Sequence, residues 1–236
     1  MLKSPFLSII IPIYNNQNYI KDCLNSVLKQ FDYSIEIIII DDASTDNSFE
    51  ISKKFLERNN KIHKVKLIKK YKNQGPGITR NIGIQKSSGI YLAFLDSDDI
   101  LIKGFSKKIH KIITSKKFDI IEYGFVRFKS FKNLDKYNHL YSFSGEQNYK
   151  NIKIELFCKS VWYPHIRLSK RKLWKDVKFP NNYRYEDTMT MYKIYQKTKK
   201  IYFIDTPLLA YRYNPKSLTS LITKKNYDDM FKAFKS

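Results

Sequence analysis

Apolar residues along the first hundred positions alternate between two spacings. Four short runs are almost continuously hydrophobic: Leu7 to Ile13, Ile35 to Ile40, Val65 to Ile68 and Ile90 to Leu95. Short runs dominated by Ile, Val and Leu fit strands buried on both faces of a parallel sheet. Between them the period lengthens. Tyr19 to Lys29 places Ile20, Leu24, Val27 and Leu28 on one helical face, and Ser48 to Arg58 does the same with Phe49, Ile51, Phe55 and Leu56. Asp46 or Asn47 stands where a cap for that second helix is needed. Strands that alternate with helices predict βαβ crossovers and an α/β fold, with a mainly parallel sheet flanked by helices.

Beyond Asp99 the pattern loosens. It predicts a helix over Phe105 to Thr114, a strand over Phe118 to Tyr123, helices over Asn151 to Lys159, Ser169 to Lys175 and Asp187 to Lys197, and strands over Ile201 to Ile204 and Leu208 to Tyr213. The Lys- and Asn-rich stretch from Lys129 to Lys150 reads as a mobile excursion, either disordered or a hairpin or flap. Aromatics at Phe128, Phe131, Tyr137, Tyr141 and Phe143 accompany it. Met230 to Ser236 reads as part of an amphipathic helix with aromatics on one side. No internal repeat is present, and one domain over 1–236 is expected, with halves at 1–100 and 101–236.

Two of the predicted strands end in acids. Asp96-Ser97-Asp98-Asp99 follows the last run of the first half, and Asp41-Asp42 follows the second. Crowded carboxylates repel one another and resist burial, so a divalent cation between them is the simplest explanation, and an oxygen-only ligand set favours Mg²⁺ or Mn²⁺. A solvated Asp-rich turn is the alternative for either motif alone. In open parallel sheets ligands bind beyond the carboxyl ends of the strands, so neighbouring strands would bring both clusters to one rim. Gly75-Pro76-Gly77 opens a predicted helix carrying Arg80-Asn81, which suits either a phosphate cradle or an ordinary loop-to-helix turn.

These motifs occur in a fixed order: Pro12 to Asn15, Asp41 to Ser44, Gly75 to Gly83, Asp96 to Asp98, and Glu186-Asp187. In that order the chain resembles a family 2 glycosyltransferase of the GT-A fold, of the bacterial surface-polysaccharide type, over most of its length. Thr79 stands where that family usually has Ala. The resemblance implies a UDP-sugar donor, with Pro12 and Tyr14 as a wall of the nucleotide pocket and Asp41 and Asp42 on base and ribose. It also implies Arg80 completing the pocket, Asp96 reaching the ribose, and a metal on Asp98 with Asp96. By the same resemblance Asp187 is the general base, assisted by Glu186, which implies inversion at the anomeric carbon. A late segment, Tyr211 to Thr219, is similar to a family segment near the diphosphate and brings in Arg212 and Ser217. Asn214 stands where some relatives carry a metal-binding His. The acceptor implied is a glycan or a lipid-linked glycan. His165 and Trp162 read as acceptor-site residues or as packing.

Charge adds a rival. Lys and Arg number 44 against 22 Asp and Glu, a net charge of +22 that attracts polyanions. A basic protein for nucleic acid or anionic surfaces on an inactive nucleotide fold is therefore the alternative, and a nucleotidyltransferase a third reading. The lysines are dispersed and not gathered in one arm or helix, so no nucleic-acid partner is expected, whereas an anionic membrane surface would accept such a distribution. Cys23 and Cys158 lie in no metal or redox spacing. No apolar stretch is long enough to span a bilayer and the start reads into a strand, so the expected location is the cytoplasm, with peripheral attachment to the inner face of the membrane.

Overall fold

A computed structural model describes residues 5–30, 35–59, 64–130, 133–135, 137, 139–215, 217 and 224–235. Its first half follows the predicted alternation: β1 (Leu7–Ile13), α1 (Ile20–Leu28), β2 (Ile35–Asp41), α2 (Ser48–Arg58), β3 (Val65–Lys69), α3 (Gly75–Lys86) and β4 (Tyr91–Phe94). These strands pair in parallel in the order β3-β2-β1-β4. The chain winds outward from β1 to β3 and then returns to the other side of β1. That reversal opens a crevice between the carboxyl ends of β1 and β4, the place where such sheets take ligands.

The second half extends the same sheet. It contains β5 (Ile100–Leu101), α4 (Phe105–Ser115), β6 (Ile120–Ser130), β7 (Asn133–Leu134), β8 (Gly145–Asn148), α5 (Tyr149–Lys159), β9 (Arg167–Lys170), α6 (Thr188–Gln196), β10 (Lys200–Arg212) and α7 (Lys224–Lys235). The order continues from β4 through β9, β6 and β10 to β5. β6 and β10 form a long parallel ladder, whereas β9 is a short antiparallel insert between β4 and β6. The fold is thus mixed α/β, with its long ladders parallel and its antiparallel pairs short.

Alternating residues of the central strands feed two cores. Ile9, Ile11, Ile37 and Ile39 pack with Leu24, Val27 and Phe55 of α1 and α2 on one face. Ile10, Ile38, Leu92 and Phe94 pack with Trp174, Phe179 and Met191 on the other. Gly83 lets α3 lie directly on β1, because a Cβ there would fall 2.3 Å from Ile10 Cγ2.

Three expectations are corrected. The predicted helix over Ser169 to Lys175 is instead the end of β9 followed by a single 3₁₀ turn, Arg171–Trp174. Charged residues at 167 and 170 hid the strand's period: Arg167 is buried 3.5 Å from Glu122 of β6, and Lys170 pairs with Asp119 at 2.9 Å. The two strands predicted around Pro207 are one, β10, which absorbs the proline in a bulge between Ile204 and Leu209. The excursion after Lys129 is in large part ordered. β6 runs on to Ser130, β8 pairs with β10, and the Tyr141 and Phe143 rings stack and pack against Phe203; Phe131 lies outside the described residues.

At the other end α7 docks polar-face inward. Arg184 donates its backbone N–H to Asp229 Oδ2 at 3.0 Å and its guanidinium to Asn226 Oδ1 at 2.8 Å, with Asn226 and Asp229 both buried. Tyr227 and Phe231 stay exposed, and the Phe234 side chain lies outside the described residues. Among the described residues no helix is long and apolar enough to cross a membrane.

Candidate active site

The loops after β1, β2 and β4 are tied together before any ligand is considered. Asn15 adopts a left-handed conformation (φ 49°), and its side-chain oxygen accepts from Thr45 N–H at 2.8 Å. Asn16 donates its backbone N–H to Ser48 Oγ (2.7 Å) and its amide to Ser97 Oγ (2.6 Å). Ala43 is likewise left-handed, at φ 58°. Non-glycine residues hold such backbone conformations only where the surroundings over-determine them, and these lie side by side at the crevice. Pro12 is half-buried, while Tyr14 is 46% exposed at the rim.

Asp41 and Asp42 are both buried, but they face different company. Asp42 is filled by protein: Lys70 Nζ lies 2.5 Å from Oδ1, and the Gln74 and Gly75 amides donate at 3.0 and 2.8 Å. It therefore anchors the start of α3, where backbone N–H groups favour a negative charge. Lys70 also reaches Thr79 Oγ1 at 3.3 Å, so the hydroxyl at 79 gives this buried ammonium a second acceptor. Asp41 accepts from Ser44 N–H at 3.1 Å through Oδ2, and its buried Oδ1 has no partner among the described residues.

Arg80 is the hub of the site. Its side chain is 7% exposed, and the two ends of its guanidinium meet Asp96 Oδ1 (2.9 Å) and Glu186 Oε1 (2.5 Å). Asn81, the next residue, clamps Phe179 by accepting its N–H at 3.0 Å and donating to its carbonyl at 2.8 Å. The close approach of the Glu186 segment explains Gly77, where a Cβ would sit 2.9 Å from the Pro180 carbonyl oxygen. Arg80 and Asn81 thus fasten two distant segments to one helix.

The four acidic-loop residues divide their roles. Asp96 Oδ2 lies 3.0 Å from His165 Nδ1, and His165 is buried between the stacked rings of Tyr163 and Tyr211. Burial alone would raise the Asp96 carboxyl, but Arg80 and His165 overcome it and hold it well below the usual range. Burial, and then the neighbouring Asp96, raise Asp98, whose Oδ2 accepts from Asn214 at 2.8 Å. Asp99 is fully buried and pushed up further by burial, Asp98 and Asp96; Oδ1 accepts the Arg212 N–H at 2.9 Å and Oδ2 has no partner among the described residues. Ligand atoms of Asp96, Asp99 and His165 lie within 4.8 Å of one another, a grouping able to hold a metal ion.

Glu186 and Asp187 close the crevice from the second half of the chain. Tyr185 just before them is left-handed (φ 65°), which turns the chain into α6. Asp187 caps that helix with Oδ1 on Thr188 N–H at 2.7 Å; Oδ2 makes no hydrogen bond to a described residue. Burial raises the Asp187 carboxyl against the opposing pull of Arg80. Glu186, more deeply buried, is raised by burial despite its contact with Arg80.

The structure thus gathers Asp41, Asp42, Arg80, Asp96, Asp98, Glu186 and Asp187 around one rim, with Pro12 and Tyr14 at its edge, whereas Trp162 is buried in the core against Phe157 and Tyr195. Arg212, brought in by the late-segment resemblance, lies at the acidic loop. Its side chain donates to the Asp98 carbonyl (2.8 Å) and Asp22 (3.1 Å) and lies over Tyr19 and Phe128, which braces the acidic loop. Sequence reasoning overlooked Lys70 and gave His165 only a packing or lining role, because a lone Lys or His carries no spacing signal.

A family model described as glycosyl transferase family 2 matches residues 8–202. Glycosyltransferase GlyG of Streptococcus pneumoniae is 30% identical over 223 residues, covering 89% of this chain and 71% of its own length. Glycosyltransferase GlyA of the same organism is 29% identical over 95% of this chain, which spans only 33% of GlyA. Among solved structures, S. aureus TarS 1-349 in complex with UDP-GlcNAc has a TM-score of 0.81 at 24% identity, covering 97% of this chain and 65% of that one. TarS 1-349 in complex with UDP gives 0.75 at 25% identity, covering 89% and 61%. A mannosyltransferase from Pyrobaculum calidifontis, in complex with GDP-Man and Mn²⁺, shares the fold at 0.62 and 16% identity, covering 85% and 55%. The ordered motifs, their convergence on the β1–β4 crevice, and a family match over most of the chain lead to one conclusion: this chain is a member of glycosyl transferase family 2, built on the GT-A fold.

Proposed function

We propose that the chain transfers a sugar from a UDP-sugar to a glycan or lipid-linked glycan with inversion, assisted by a divalent cation, in assembly of a bacterial surface polysaccharide at the inner membrane face. The observation that carries this reading is Arg80 bridging Asp96 of the donor loop and Glu186 beside Asp187, which couples the nucleotide and acceptor sides through one buried guanidinium. UDP in TarS supports the donor class.

The donor set fits a cation. Burial and Asp96 raise Asp98, burial with Asp98 and Asp96 raises Asp99, and Asp99 Oδ2 is a buried oxygen without a partner among the described residues, so a positive ion there would relieve both costs. Asp98 with Asp96 would hold it; Asp99 and His165 adjoin them. When bound, Mg²⁺ or Mn²⁺ supplies charge neutralisation to the departing diphosphate.

The remaining work falls to side chains. Asp41 and Asp42 define the nucleotide end, with Pro12 and Tyr14 as its wall, and Asp42 acts by fixing α3. Arg80 orients Asp96 and Glu186. Asp187 uses Oδ2 to take the acceptor hydroxyl proton, a task suited to a carboxyl raised by burial. As the acceptor oxygen bonds to the anomeric carbon, the bond from that carbon to the phosphate oxygen breaks and UDP leaves with the bonding pair.

Calorimetry of UDP with Mn²⁺ and with excess chelator tests the donor side. Binding that needs the cation in the wild type and is lost in Asp98→Asn is expected; equal affinity under all conditions would remove the metal from the scheme.

A further inference from the structure

A second cleft lies behind the active-site helix. Its walls are the outer face of α3, through Asn81, Ile84 and Gln85, and the turn that follows β9, and it encloses about 440 Å³. That volume falls within the roughly 300–1,000 Å³ range of small-ligand sites. Four cations line it, Arg171, Lys172, Lys175 and Lys178, and no carboxylate does.

None of the four forms an ion pair with a described residue, whereas Lys70, Arg80, Arg167 and Lys170 all do. Asp176, from the same turn, is not among the lining residues and lies 4.0 Å from Lys197. Like charges drawn to one concavity repel unless an anion joins them. The cleft is also held in shape. Arg171 Nε donates to the Gly89 carbonyl at 3.0 Å, Trp174 Nε1 donates to Ser169 Oγ at 2.8 Å, and Asn81 grips the Phe179 backbone on both sides. The fixed Nε turns the rest of a planar, multi-donor guanidinium into a suitable partner for phosphate oxygens.

From this geometry we infer that the cleft is a binding site for a phosphomonoester, separate from the donor crevice, since none of the acidic-loop residues or Arg80 lines it. A lipid headgroup and a soluble phosphorylated metabolite share that chemistry. The inference stands independently of the transfer reaction.

The test follows backbone amide shifts of the full chain during titration with glycerol 3-phosphate. Shifts are expected at 81–85 and 171–178, with affinity about tenfold or more weaker in Lys172→Gln/Lys175→Gln/Lys178→Gln, whose exposed side chains can change without loss of fold. Lys53→Gln/Lys54→Gln/Lys107→Gln, equal in charge change but scattered and exposed, serves as the control and should bind as the wild type. Sedimentation with phosphatidylcholine vesicles containing phosphatidic acid then separates the sources. Loss of pelleting in the cleft variant alone assigns a lipid headgroup, and unchanged pelleting with lost glycerol 3-phosphate binding assigns a soluble ligand. No shifts at the cleft, or equal weakening in both triple variants, would overturn the site and leave only diffuse attraction by a +22 surface.

Discussion

Arg80 and Glu186 stand 106 positions apart in sequence and meet at 2.5 Å, while the other end of the same guanidinium lies 2.9 Å from Asp96. Three segments from both halves of the chain depend on this one side chain. Lys at this position keeps the charge but cannot span two carboxylates in a fixed plane. Arg80→Lys should therefore fold and lose about two orders of magnitude in transfer, because Asp96 and Glu186 are no longer held together. Arg80→Met leaves Glu186 without its cation and Asp96 with His165 alone, and should cost about 3–5 kcal/mol in urea unfolding. Transfer within a few-fold of wild type in Arg80→Lys would show that the bridge is dispensable.

Lys70 and Asp42 make a second buried pair, with side chains 7% and 4% exposed. Lys70→Met strands a carboxylate that retains only two backbone amides, and a destabilisation of about 3 kcal/mol is expected. Thr79→Ala removes the weaker acceptor of the same ammonium and should cost about 1 kcal/mol or less. Urea midpoints of the two variants measure the ranking, which reverses if Asp42 is satisfied by the α3 amides alone.

Local physics made the first half legible. Apolar runs fixed β1 to β4, the helical spacing gave α1 and α2, and acids at strand ends marked the crevice because ionised groups rarely follow buried strands without a function. What escaped was whatever depended on partners distant in sequence. β9 reads as polar until Arg167 is seen against Glu122 and Lys170 against Asp119. Lys70 is one lysine among many until Asp42 reaches it, and His165 acquires its place only when Asp96, Tyr163 and Tyr211 close around it. Pro207 suggested a break that a bulge in β10 accommodates.

Glu36 offers a pH test on the rim opposite the site. Its buried carboxylate accepts from Ser8 Oγ (2.5 Å), Ser88 N–H (2.5 Å) and Gly89 N–H (3.1 Å), with Lys66 at 3.4 Å. Burial opposes ionisation, but these donors prevail and lower the carboxyl from 4.5. A depressed folded value means that the unfolded chain takes up its proton first as the pH falls. The stabilisation is therefore full above about 4.5 and disappears as the pH drops through the lower folded value. Glu36→Gln should cost about 1–2 kcal/mol at pH 7, and this gap should close as the pH falls below about 4.5 in urea unfolding. A gap independent of pH would mean that shape, not charge, makes the contribution.

Asp187 separates chemistry from binding. Its Oδ1 serves the α6 cap while Oδ2 makes no hydrogen bond to a described residue, so the proposed base would act through the oxygen that the cap does not use. Asp187→Asn retains a side-chain oxygen for Thr188 N–H and removes basicity, so the helix start and the unfolding midpoint should change by less than about 1 kcal/mol. Transfer should fall by roughly two to four orders of magnitude, the usual contribution of a positioned base. UDP affinity in the presence of Mn²⁺ should stay near that of the wild type, because the nucleotide contacts assigned to Asp41, Asp96 and Asp98 are untouched. Asp187→Ala supplies the contrast: it loses the cap as well and should be less stable than the Asn variant by about 1 kcal/mol while transferring no faster. If Asp187→Asn transferred sugar at a near-normal rate while only Asp187→Ala failed, the residue would be a helix cap and the base would have to lie elsewhere in the crevice.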